Sequence, residues 1–313
     1  MTFCPKCSAD IVPGSRYCHR CGDHLAARKK SCPSCDKSNG FNAVYCQHCG
    51  YHLAPEKRPE PVAYQSVYPL SFSRGNLTDQ VDALFFKSLR ERVREEGDER
   101  RYNEFVARFY DSRFRTVYSV RCKQIAEDAA AKWERFGTEA LPDIDRLIER
   151  AFEGLLDYFI IQHCADLCSV ILPGEILRYE QVKLTPEILP RMIFDYLDFA
   201  HEDERIYTDF LNIQREVLLT ACLKFLKAQN NERVLFLCDT SLKGMGAEGF
   251  AMSDKAIYWK APMQKPAAVH YDKIKSIEKR RDWLLINGQY FHVNPSLDLK
   301  VFKLLKKIGS LGR

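Results

Sequence analysis

Eight cysteines stand in four Cys-x-x-Cys pairs near the start of this sequence: Cys4/Cys7, Cys18/Cys21, Cys32/Cys35 and Cys46/Cys49. Ten residues separate the inner cysteines of each half, and the second half repeats the first at an offset of 28 residues. A short Cys-x-x-Cys turn presents two sulfurs to one centre, and two such turns complete a tetrahedron of thiolates. The chemistry this predicts is metal ligation, with two structural Zn²⁺ ions. Two rivals carry the same residue type. A thioredoxin-like redox pair sits at the start of a helix after a strand, and iron–sulfur ligation is left open by the spacing. A closed Cys₄ site has no position for water, so it makes a scaffold rather than a catalyst. His19, His24, His48 and His52 lie close by, but four sulfurs already saturate each metal, so these read as surface groups or as supports for the ligands.

Tyr17 and Tyr45 precede the third ligand of each quartet, and Gly22 and Gly50 follow the fourth, where the backbone must bring amides toward the sulfurs. Each module is too small to bury a core, so metal affinity becomes folding energy. Residues 3–53 resemble the double zinc ribbon of bacterial and archaeal multidomain proteins. That resemblance implies a small recognition or adaptor module, with Cys4, Cys7, Cys18, Cys21, Cys32, Cys35, Cys46 and Cys49 as its metal ligands.

With 313 residues, 46% hydrophobic and 28% charged, the chain has room for two or three domains with real cores. No apolar run is long enough to cross a bilayer. No basic and apolar leader opens the sequence, and thirteen cysteines suit metal binding in a reducing compartment better than disulfides. The expected location is cytoplasmic, with peripheral membrane association as its extension. Charge is uneven: +5 over residues 1–58, −8 over 59–232 and +8 over 233–313. Four thiolates around a dication leave −2 per site, which weakens any case for nucleic acid from net charge.

Residues 54–76 carry Pro55, Pro59, Pro61, Pro69 and Gly75, predicting a linker; Val62, Tyr64, Val67, Tyr68, Leu70 and Phe72 suggest an arm that docks. A helical domain is expected over 77–232. Its helices run from a Thr78 cap to Glu96, from Asp98 to Phe136, from Leu141 to Val170, and from Thr185 toward Lys227 with a pause near His201–Glu204. Asp195, Asp198, Glu202, Asp203 and Glu204 with His201 form an acidic run, read as a solvated surface against a hydrolytic metal site. Cys164 and Cys168 read as buried thiols, against a metal site completed by His163. The domain carries neither a phosphate loop nor a nucleophile elbow.

At Arg233 the period changes. Short apolar runs at 234–238, 249–253, 256–260, 268–271, 273–279, 283–286 and 289–293 predict a small sheet, with Asn287-Gly288 as a hairpin turn. A helix from Leu297 to Ile308 follows. The order, with Gly249, Phe250, Ser253, Asp254, Lys255, Ile257 and Tyr258, resembles bacterial domains of the pleckstrin-homology and GRAM fold over about 233–308. The fold class is therefore multidomain: two Cys₄ ribbons, an all-α bundle and a β-rich domain of 233–313 with a C-terminal helix. The first hairpin lacks the basic cluster of phosphoinositide-binding members, Lys243 standing nearly alone.

Lys273, Lys275, Lys279, Arg280, Arg281, Lys300, Lys303, Lys306 and Lys307 are candidate contacts to an anionic surface. That surface could be a membrane, nucleic acid, another protein or the chain's own acidic middle, a contact that rising salt should loosen. The leading functional expectation is a non-enzymatic adaptor or regulator that recognises proteins. The alternative is nucleic-acid binding through Arg16, Arg20, Arg28, Lys29 and Lys30 with exposed Phe3, Tyr17, Phe41, Tyr45 and Tyr51. An enzyme built on the helical domain is the third.

Overall fold

The computed structural model describes residues 2–4, 6–7, 9–11, 17–25, 29–40, 43–53, 64–73, 75–180 and 182–311. The chain divides into two units, Met1–Gln65 and Ser66–Arg313. The architecture is multidomain: two cysteine clusters in zinc ribbons, a helical bundle, and a β-sheet region with a trailing helix.

In the first unit, β1 (Thr2–Phe3) pairs with β2 (Asp10–Ile11), and β3 (Lys29–Ser31) with β4 (Ser38–Gly40), both antiparallel. Each ribbon adds one further bridge, Tyr17 to His24 and Tyr45 to His52. Among the described residues the buried apolar content besides cysteine is slight: Ala9, Ile11 and Leu25 in one ribbon, Leu53 in the other.

The second unit begins with an arm. Ser66 Oγ and the amides of Val67 and Tyr68 all donate to the Asp145 carboxylate, at 2.6, 2.8 and 3.2 Å. Tyr68, Leu70 and Phe72 then pack on the bundle, with Phe72 stacked on Trp133. The expected linker residues 54–63 lie outside the described residues. Asp145 is buried, so Asp145→Ala strands two backbone donors. Denaturant unfolding is expected to show a loss of about 2 kcal/mol, with Asp145→Asn recovering part of it.

The bundle comprises α1 (Leu77–Glu96), α2 (Tyr102–Asp111), α3 (Phe114–Phe136) and α4 (Leu141–His163). Asn76, not Thr78, caps α1: its Oδ1 accepts from the Thr78 amide at 3.0 Å. The single helix expected over 98–136 is broken at Ser112, which turns extended. Phe109 and Phe114 explain the break. Five residues apart on one helix they would point about 140° from each other; the break turns both into the core, beside Phe85, Tyr118 and Phe159. The helix expected to reach Val170 stops at His163.

A boundary at 232 would cut through a core. Leu172, Ile176, Tyr179 and the buried face of α5 (Ile188–Leu197) share one apolar cluster with the strands that follow. The helix expected to resume after His201 is instead β5 (Arg205–Tyr207), and α6 (Arg215–Lys224) comes after it. Five strands then run antiparallel in chain order: β5, β6 (Val234–Asp239), β7 (Gly249–Ser253), β8 (Ala256–Lys260) and β9 (Ala267–His270). A second sheet joins β10 (Ile277–Lys279), β11 (Leu284–Ile286) and β12 (Gln289–Phe291). Asn287 and Gly288 both take positive φ, 50° and 77°, in the β11–β12 turn the dipeptide predicted. The chain then enters α7 (Pro295–Leu311).

Both faces of the larger sheet are covered, so its strands read as continuous apolar runs. Phe236, Cys238, Phe250, Met252, Ile257 and Trp259 face α5 and α7, whereas Leu237, Ala251, Ala256 and Tyr258 face α6. Asn294 caps α7 by accepting from the Leu297 amide, and Pro295 opens it.

Asp298, also in the first turn of α7, accepts from the Val293 amide and pairs with His292 Nδ1 at 2.8 Å. Burial pushes its carboxyl from 3.8 up to about 6, against those partners. Between about pH 4 and 6 the folded chain therefore holds one more proton than the unfolded chain. Stability from this group falls as pH rises through that window, by about 2–3 kcal/mol. Other carboxylates shift the opposite way, so the test is the difference between wild type and Asp298→Asn across pH 4–7. That difference should decline through the window and flatten above it.

Candidate metal centre and charged interface

Each quartet of cysteines closes on one point. All four sulfurs of Cys4, Cys7, Cys18 and Cys21 lie within 4.8 Å of one another, as do those of Cys32, Cys35, Cys46 and Cys49. The Cys4–Cys21 and Cys7–Cys18 sulfurs are 3.5 Å apart, and the Cys32–Cys49 and Cys35–Cys46 sulfurs 3.6 Å. A tetrahedron with metal–sulfur bonds of about 2.3 Å has edges of about 3.8 Å, so the donor set fits such an ion.

The turns are built to support charge on sulfur. The Ser34 amide donates to Cys32 Sγ and the His48 amide to Cys46 Sγ, both at 3.4 Å. The amide of Cys21 is the strongest influence on Cys18, pulling its thiol down to about 6. At Cys46 desolvation opposes ionisation, but the His48 and Cys49 amides outweigh it and hold the thiol at about 6. At Cys35 the Lys37 amide pulls down and is outweighed by desolvation and three neighbouring sulfurs, which push it up to about 12. Cys21 behaves the same way around the Asp23 amide. Four thiols this close cannot all ionise without a cation between them.

Positive φ is needed after the pairs. Gly22 and Gly50, at 71° and 72°, donate back to the Cys18 and Cys46 carbonyls. Asp36 takes the same role after Cys35 at φ 53°, which the sequence did not flag; aspartate tolerates this region better than most residues. Asn39 was also missed. It is buried, accepts from the Gln47 amide at 3.0 Å and helps hold Cys46 low. Its repeat partner is Ile11, so a comparison of the halves was the one available signal.

His19, His24, His48 and His52 are exposed and outside both quartets. Tyr17 and Tyr45 are exposed and lie on His24 and His52, with ring centres 4.6 and 5.1 Å apart; Tyr51 is exposed too. Arg20 and Lys29 face solvent and Lys30 is half-buried. Arg16, Arg28, Phe41 and the Phe3 side chain lie outside the described residues.

The other candidate sites resolve differently. Among the described residues the two quartets are the metal-competent clusters, and His163, Cys164 and Cys168 do not form a third. Burial pushes the Cys164 and Cys168 thiols up to about 12 and 11, making them poor nucleophiles. In the acidic run, Asp195 accepts from Tyr179 and pairs with Arg178, while Asp198 pairs with His201. Glu202 accepts from Lys300, Ser296 and Asn294. Glu202, with Glu204 on Asn294, thus holds the start of α7, while Asp195 is engaged within the α5 region.

The basic candidates split by burial. Lys273, Lys275, Arg280 and Arg281 are exposed, and Lys279 is half-buried with its Nζ on the Arg280 and Arg281 carbonyls. Lys300 and Lys303 are only 2% and 4% exposed, so neither offers an anionic partner a surface. They reside on the face of α7 that turns inward. Lys303 pairs with Asp157, and with Glu96 and Glu153 at 3.4 and 3.6 Å; Lys306 reaches Glu153 at 3.4 Å. Arg92 joins the same group through Glu153, Asp157 at 2.7 Å and Glu96 at 3.0 Å. The Glu96 contacts are ion pairs without hydrogen-bond geometry. Lys307 Nζ donates to the Glu180 carbonyl. Three cations thus face three carboxylates across α1, α4 and α7. Desolvation works against the Arg92 charge, but these carboxylates outweigh it and raise its pKa further.

The ribbons define the class of the N-terminal region. A family model described as a double zinc ribbon matches residues 4–50. No curated protein matches the chain, and no solved structure matches it. No described helix is long and apolar enough to cross a membrane.

Proposed function

We propose that this protein is a non-enzymatic adaptor or regulator that recognises another protein, with two structural Zn²⁺ ions in its ribbons. The observation that carries the reading is the closed donor set: eight cysteines form two all-sulfur quartets that leave a metal no open position for a substrate. The C-terminal region supports it. The five-stranded sheet β5 to β9, the three-stranded sheet β10 to β12 and the trailing α7 are compatible with a pleckstrin-homology-like reading, a fold that commonly serves as a binding platform. The experiment is affinity capture of the intact chain beside a chain lacking residues 1–53, with proteins, lipids and nucleic acids identified together. Protein partners lost with the ribbons support the reading; turnover of a small molecule by the purified chain overturns it.

A nucleic-acid role is the second reading, favoured by exposed Tyr17, Tyr45 and Tyr51, which could stack on bases. The absorbance ratio of the purified chain and a gel-mobility assay separate the two.

A further inference from the structure

We infer that the end of the larger sheet carrying the β6–β7 and β8–β9 loops inserts into the surface of an anionic lipid bilayer. The register puts both loops at one end: Asp239 lies opposite Gly249, Gly249 opposite Lys260, and Trp259 opposite Ala267. Leu242 in the first loop is fully exposed, Met245 beside it is 42% exposed, and Met263 in the second is 99% exposed. Both loops are nonetheless firmly built. Asp239, buried at the end of β6, accepts from the Ser241 amide at 2.9 Å, from Ser241 Oγ at 2.6 Å and from the Gly246 amide at 3.0 Å. Ser241 Oγ accepts in turn from the Met245 amide at 3.0 Å. The second loop is a turn closed by the Gln264 amide on the Ala261 carbonyl at 3.1 Å, with Pro262 and Met263 at its centre. Met263 takes φ 59° there, a conformation that such turns favour glycine or asparagine for. A bulky side chain on a strained backbone, with no packing to offset the strain, points to a role outside the fold.

Shape and charge select the occupant. Apolar side chains on two neighbouring hairpin tips project from the fold, and a bilayer interface accepts such projections with lysines at headgroup level. Lys243 directly follows Leu242, and Lys265 stands two residues after Met263. Both are exposed, and among the described residues neither forms an ion pair. The carboxylates at this end offset them little. Glu248 is taken up by Lys260 at 3.3 Å, Asp239 by the groups above, and Glu204 by Asn294. Asp203 is exposed, and the exposed Arg205 follows two residues later. Lys273 and Lys275 come after the opposite end of β9 and lie outside this surface.

The test is co-sedimentation of the full-length chain, with its metal, and phosphatidylcholine vesicles containing about a third phosphatidylserine. The chain should bind these vesicles, bind pure phosphatidylcholine far less, and be released by salt. Leu242→Asp with Met263→Asp should weaken binding by about 30-fold or more. Lys243→Ala and Lys265→Ala should each weaken it about fivefold, and Lys273→Ala should leave it unchanged. Met263→Gly separates insertion from folding. It relieves the backbone strain, so the unfolding midpoint should hold or rise while vesicle binding falls about tenfold. A chain that ignores the vesicles, binding indifferent to the Leu242 and Met263 changes, or equal binding to neutral vesicles would overturn the inference. So would full displacement by soluble glycerophosphoserine, which would mark a headgroup pocket instead of an inserted surface.

Discussion

Chelating the metal from the intact chain is expected to unfold residues 2–53 and leave residues 66–311 folded. The ribbons have little else to hold them. Among the described residues their buried apolar side chains other than cysteine are Ala9, Ile11, Leu25 and Leu53. Their strands are two or three residues long. Structural zinc contributes about 10–16 kcal/mol of apparent affinity in small zinc peptides, far more than so small a core can supply. The second unit has three apolar clusters of its own and no ligand in either quartet. Hydrogen exchange read by mass spectrometry should therefore show protection collapsing around Cys32–Gly40 and Tyr45–Leu53 while α1, α4 and β7 are unchanged. Cys32→Ser should reproduce the loss in the second ribbon alone. Ribbons that keep their protection without metal would refute this.

The second large effect is expected at Lys303. Replacing it by methionine fills much the same volume and removes one of the two buried cations of the group, Arg92 being the other. Glu96, Glu153 and Asp157 are then left with Arg92 and Lys306. Breaking a buried ion group on one side typically costs about 3–5 kcal/mol, because a carboxylate stays desolvated without its partner. Thermal and denaturant unfolding of Lys303→Met should show a loss of that size, whereas Lys275→Met, exposed near β10, should change stability by less than about 0.5 kcal/mol. Because Arg92 and Lys303 are shielded from solvent, added salt should weaken the network little. That differs from the loosening expected when the basic C-terminus was read as a surface charge. Glu153 is held well below the usual carboxylate range: desolvation opposes this, and Arg92, Lys303 and Lys306 outweigh it. Its contribution is present at neutral pH and is lost as pH falls toward its lowered pKa.

The two cysteine quartets were legible because metal coordination needs fixed residue types at fixed spacing. The β11–β12 turn was legible for a similar reason, since Asn287-Gly288 suits positive φ as few pairs do. The break at Ser112 was hidden because no glycine or proline marks it; the need to turn Phe109 and Phe114 inward is a property of the packed core. The core that α5 shares with the later strands was hidden for the same reason. Tyr196 and Leu197 repeat at helical spacing whichever core they enter, and nothing local tells α5 that its partners are Phe236 and Trp259. Lysines on α7 read as surface charge because charge alone does not reveal burial. Only Glu96, Glu153 and Asp157, contributed by α1 and α4, make Lys303 tolerable inside. Asp145 escaped notice because its partners lie 77 to 79 residues earlier in the chain.

The most direct measurement is metal content and coordination of the purified chain, prepared without chelators and without added metal. Elemental analysis should find two zinc atoms per chain, and X-ray absorption should show four sulfur neighbours at about 2.3 Å around each. Fewer than two metal atoms in a chain folded through Leu53, or iron in place of zinc, would contradict the account.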